Sequence, residues 1–145
     1  MTDRFSPVSP ETLRAFAAAN IDAVRETVRR ALGHTDHVRH HGDEAETLIS
    51  AGMTFVARML EGAMAVGSVE LLEDELTWAQ DRLPHDGVQP QHILSRLEIY
   101  REVLGEQLPA EHQASVLPYL DWLIAQHRAL SDASGQTSTP PGQEA

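Results

Sequence analysis

The stretch Leu48-Ile49-Ser50-Ala51-Gly52-Met53-Thr54-Phe55-Val56-Ala57-Arg58-Met59-Leu60-Glu61-Gly62-Ala63-Met64-Ala65-Val66-Gly67 decides the fold. Its apolar residues, Leu48, Ile49, Phe55, Val56, Met59, Leu60, Ala63, Met64 and Val66, form a broad apolar surface on a helix expected from Asp43 to about Gly67. Such breadth predicts a central helix contacted from more than one side. Gly52 and Gly62 lie on it, where a missing side chain lets another helix approach closely.

Outward from this segment the pattern stays helical. Ser9-Pro10-Glu11 is a helix start: Ser caps, Pro is tolerated at the first helical position, and Glu complements the positive helix end. The stripe Leu13, Phe16, Ala17, Ile21, Val24, Val28 and Leu32 then runs to a stop at Gly33. Residues His34 to Gly42 read as a polar connection. Beyond the central helix, Ser68 is placed to cap a third helix carrying Val69, Leu72, Leu76, Ala79 and Leu83, ended by Pro84-His85-Asp86-Gly87. A fourth starts near Pro90 and runs through Leu94, Leu97, Val103 or Leu104, and Leu108 to Pro109. The fifth extends from Ala110 to about Leu130, with a kink or break expected at Pro118, which removes a hydrogen bond and crowds the preceding turn. This gives an all-α bundle: a flexible N-terminus over residues 1–8, one helical domain over 9–130, and a disordered tail over 131–145.

With 145 residues and 41% hydrophobic content, the chain suits one domain with one core. Its 22 acidic and 11 basic residues give a net charge of −11, which argues against binding to nucleic acid or anionic lipid. Every basic residue is Arg, so chemistry needing a Schiff-base or phosphate-loop lysine is excluded. The absence of Cys excludes disulfides, thiolate metal sites and thiol nucleophiles. No unbroken apolar run reaches the ~20 residues of a membrane span, and the first residues lack a signal peptide's apolar core, so the expected location is the cytoplasm.

The densest chemical cluster is His34-Thr35-Asp36-His37-Val38-Arg39-His40-His41-Gly42-Asp43-Glu44. In a helix His37 and His41 share a face, the spacing by which two imidazoles reach one Zn²⁺. The residues between them are Val38, Arg39 and His40, with no Glu to act as general base. The cluster is therefore read as a solvated linker, with a pH or metal sensor built on His34, His37, His40 and His41 as the alternative. His85 and His92 are candidate axial ligands for haem or another tetrapyrrole. Glu111-His112 reads as a capping-turn pair, and His127 as a complement to a helix end. Glu73-Asp74-Glu75 sits where a helix start favours negative charge and is expected to be solvated. Trp78, Tyr100, Tyr119 and Trp122 fit either a core or the lining of a pocket. No Gly-x-Ser-x-Gly turn and no paired Glu-x-x-His motif is present.

The junction Val88-Gln89-Pro90-Gln91-His92-Ile93 resembles the start of the globin G helix. In globins the haem-ligating His lies about eight residues before that Pro, and here the position is Arg82. With Trp78 to Leu83 ahead of the turn, the chain resembles the non-haem globin domains of bacterial stress-sensing regulators. Over about Ala23 to Leu130 it is also similar to the helical regulatory segment of some bacterial cobalamin-binding proteins. That similarity is carried by Phe55 to Ala63, Leu76-Thr77-Trp78, Gly87-Val88, Leu97, Val103-Leu104 and Gln107-Leu108-Pro109. Gly52 or a neighbour stands where that segment often has a His. These resemblances imply an all-α globin-like bundle of five to six helices and a non-enzymatic sensor or protein-interaction role. No resident cofactor is implied, and haem or a related tetrapyrrole is the alternative.

The fifth helix carries Tyr119, Leu120, Trp122, Leu123 and Ile124 within six residues, more than one and a half turns, so they cannot all face one core. A homodimer through this helix is expected, with Tyr119 and Trp122 as interface anchors. A free-standing sensor also needs a regulatory protein partner.

Overall fold

The computed structural model describes residues 5–34, 42–82 and 89–137. Every regular element among them is helical: α1 (Pro10–Leu32), α2 (Ala45–Val66, entered through a 3-10 turn at Gly42–Glu44), α3 (Glu70–Arg82), α4 (Pro90–Gln107) and α5 (Ala110–Thr137). The α1 start matches its sequence signals. Ser9 accepts a hydrogen bond from the Thr12 N–H at 3.1 Å, and Pro10 occupies the first turn. The apolar stripe of α1 lies against α2 on one side and α4 on the other, and α5 packs along α4. Helix α3 rests mainly on α2.

The core joins Phe16 of α1, Ile49, Leu60 and Met64 of α2, Leu72 of α3, Leu97 and Leu104 of α4, and Leu120 and Leu123 of α5, all buried. Each such side chain gains roughly 1.5–3 kcal/mol relative to exposure. Polar ties fix the arrangement of the helices. Thr12 Oγ1 and His112 Nδ1 are 2.8 Å apart in a buried hydrogen bond between α1 and α5. On the surface Arg30 of α1 reaches Glu26 at 2.8 Å and, on α4, Glu106 at 2.7 Å and Glu102 at 3.1 Å.

Residues 5–8 belong to the packed fold, where the sequence suggested a flexible end. The Val8 N–H donates to the Met64 carbonyl at 2.9 Å, and the Tyr119 hydroxyl donates to the Ser6 carbonyl at 2.7 Å. Gly67 makes room for this strap. It ends α2 at φ +84, and a Cβ there would lie 2.6 Å from Pro7.

Three further sequence expectations change in the structure. Helix α5 runs unbroken through Pro118, because Pro118 and Ala114, whose carbonyl loses its partner, both face solvent while Leu120, Leu123 and Ile124 hold the next turns in the core. The same helix continues to Thr137, seven residues past the expected end at Leu130. Of the two α2 glycines, only Gly62 meets a neighbouring helix: a Cβ there would stand 2.8 Å from Leu71 Cδ1, whereas one at Gly52 would meet nothing within 4 Å. The turn and helix spanning Gly42–Val66 are also long and apolar enough to cross a membrane by length and composition.

Candidate functional site

The breadth of the α2 apolar surface has a structural counterpart: α1 covers one side, and the side toward α4 is left as a cleft that α3 only partly covers. A cavity of about 290 Å³ fills this space. Leu48, Ile49, Met53, Phe55 and Val56 of α2 form one wall, Ile93, Arg96 and Leu97 of α4 another, and Glu75 and Trp78 of α3 the cover. Ala51 and Gly52 are exposed lining residues and frame its mouth. The bare Gly52 leaves that mouth open, since nothing else occupies the position of its missing side chain. Trp78 is 46% exposed at the rim, its ring 5.3 Å from that of Phe55.

Two ionic side chains interrupt the apolar lining. Arg96 is only 4% exposed, and burial lowers its guanidinium pKa to about 10, so it remains charged at neutral pH. Glu75 is also 4% exposed; its Oε1 lies 3.4 Å from Nε2 of His127, which is 2% exposed on α5. This is long for an N–H···O hydrogen bond, whose usual length is about 2.9–3.0 Å. The other oxygen, Oε2, has no hydrogen-bond partner among the described residues and is not sealed from solvent. An accessible carboxylate oxygen beside an apolar void is an acceptor within reach of a ligand's donor.

The sequence placed Glu75 with solvated Glu73 and Asp74, and the structure corrects this. Glu75 is three residues after Leu72 and four before Ala79, on the buried stripe of α3. That spacing was the signal available in the sequence. Arg96 likewise sits between Ile93 and Tyr100 on the inner face of α4, and was not singled out. His127 is not at a helix end, because α5 continues to Thr137; it is the buried partner of Glu75.

Of the candidate ligands named from sequence, none that lies among the described residues lines the cavity. His85, His37, His40 and His41 lie outside the described residues, and His34 is exposed at the end of the α1 segment. His92 is half-buried in the first turn of α4 and is not a lining residue. Among the described residues no group of three or more His, Asp or Glu is arranged to hold a metal ion. Trp78 is the one aromatic of the four that lines the cavity. Tyr100 is buried in the core, its hydroxyl donating to Asn20 Oδ1. Of the two expected interface anchors, Tyr119 is buried against Phe5 with ring centroids 4.7 Å apart, so its ring offers no open face, and Trp122 is half-buried against the core. No protein-family model matches this chain, and no curated protein and no solved structure matches it either.

Proposed function

We propose that this chain is a non-enzymatic sensor or regulatory domain of globin-like type, whose signal is a compact, mainly apolar molecule taken up between α2, α3 and α4. The observation that carries the reading is the cavity itself: about 290 Å³, apolar over most of its wall, and open to solvent beside Gly52. Small-molecule sites combine such a lining with a few placed polar groups. An apolar cavity of roughly 150 Å³ already accepts benzene, so this one has room for a molecule of two fused rings. The described lining sets one carboxylate, Glu75, and one guanidinium, Arg96, among apolar side chains, the composition of a small-molecule binding site.

Helix α3 is the element through which occupancy would reach a partner protein. With 13 residues it is the shortest of the five helices, it rests mainly on α2, and it carries both Glu75 and Trp78. A molecule seated between α2 and α4 bears on α3 directly.

Thermal melting with indole as the probe tests the reading. Ligand that binds only the folded state stabilises it, by about 2.7 kcal/mol at a hundredfold excess over Kd. The melting temperature of the wild type should rise with indole concentration and saturate, and that of Gly52→Phe, which places a ring in the open mouth, should stay flat. No rise for the wild type, or an equal rise for Gly52→Phe, removes the cavity as the site.

A further inference from the structure

The composition of the cavity wall narrows the chemical class of its occupant, an inference that rests on the cavity being a binding site. Glu75 and Arg96 contribute one charge of each sign to an otherwise apolar lining. The polar group of an occupant is set by Glu75: Oε1 lies 3.4 Å from His127 Nε2, while Oε2 has no hydrogen-bond partner among the described residues and keeps contact with the void. A carboxylate can only accept, so a matching ligand must donate.

We infer that the cavity recognises a mainly apolar aromatic or aliphatic molecule carrying one N–H or O–H group, with Glu75 Oε2 as the acceptor. The body of the ligand lies among Ile49, Met53, Val56 and Leu97, and Trp78 with Phe55 covers it at the rim. His127 does not touch the ligand; it holds the Glu75 carboxylate in place from α5. The discrimination rests on the carboxylate. A buried acceptor loses its solvating water when an apolar ligand enters, and only a donor replaces what is lost.

Two probes of nearly equal shape test this. Indole carries an N–H, and indene has a CH₂ in its place and is the more hydrophobic of the two. Titration calorimetry on the full chain is expected to show indole binding at least about tenfold more tightly, the ratio for a hydrogen bond to a charged group. In Glu75→Leu/His127→Leu, which removes the acceptor and its buried partner together, the preference should vanish while indene still binds. Glu75→Gln, which keeps the side chain's size and replaces a charged acceptor by a neutral one, should lower the preference without removing the site. Equal or tighter binding of indene by the wild type overturns the donor requirement and leaves the cavity as a binding site. Binding of neither probe overturns both readings, and a preference for indole that survives loss of Glu75 overturns the role of that residue.

Discussion

His127 Nε2 stands 3.4 Å from Glu75 Oε1, joining α5 to α3 through two side chains that are both almost wholly buried. Neither is explained by the helix it sits on, and each gives the other a reason to be inside. Removing one partner leaves a buried polar group without compensation, a loss of about 1–3 kcal/mol. Replacing both by apolar groups removes the group that would be stranded. Glu75→Leu and His127→Leu should each lower the unfolding free energy by about 1–3 kcal/mol, and the double variant by clearly less than their sum. Urea unfolding of the four proteins measures this coupling, and additive losses would show that the two residues act independently.

Much of this arrangement is legible in the sequence, for reasons that can be named. The five helical patterns follow from apolar spacing, and Ser9-Pro10 marks the start of α1 because capping chemistry is local. Pro118 does not break the helix because its cost depends on which side of the helix loses the bond, and solvent on that side is a tertiary fact. The cavity is hidden for a related reason. The breadth of the α2 apolar face shows in the sequence as a need for contacts on several sides, but not that one side would be left partly open. Glu75 lies in a run of three acids whose other members, Glu73 and Asp74, are not buried, and only its position on the Leu72–Ala79 stripe distinguishes it.

Gly67 is expected to tolerate no side chain. Its φ of +84 disfavours any L-residue, and the Cβ of an alanine would fall 2.6 Å from Pro7, backbone nitrogen included. Gly67→Ala should cost more than the ~1 kcal/mol that positive φ alone imposes, because the strap of residues 5–8 must also shift. Gly105 is the control, since a Cβ there meets nothing within 4 Å. Gly105→Ala lies in the last turn of α4 and should stabilise by up to about 0.5–1 kcal/mol. Equal effects of the two substitutions would show that the strap does not depend on Gly67.

Stability should fall at both ends of the pH scale. Burial raises the Tyr100 hydroxyl above the usual tyrosine range. The folded state keeps that proton where the unfolded chain, with a tyrosine pKa near 10, gives it up. The contribution is therefore fully present below about pH 10 and is lost as pH rises further. Glu26 shows the opposite shift: hydrogen bonds from Arg29 and Arg30 lower its carboxyl from 4.5 to about 2. Its contribution is present above pH 4.5 and disappears as the pH falls toward 2. Tyr100→Phe should flatten the alkaline decline and Glu26→Gln the acid one, as read by unfolding free energy against pH. An unchanged profile in either variant would mean that other groups set that limb.

The central claim, that a small molecule enters between α2, α3 and α4, is tested most directly by methyl NMR with the methionines labelled. Met53 lines the cavity, whereas Met64 is buried on α2 away from it. On titration with indole the Met53 methyl resonance should move in a saturable way while Met64 stays in place, and the movement should be absent in Gly52→Phe. A Met53 resonance that does not respond, or responds no more than Met64, contradicts the account.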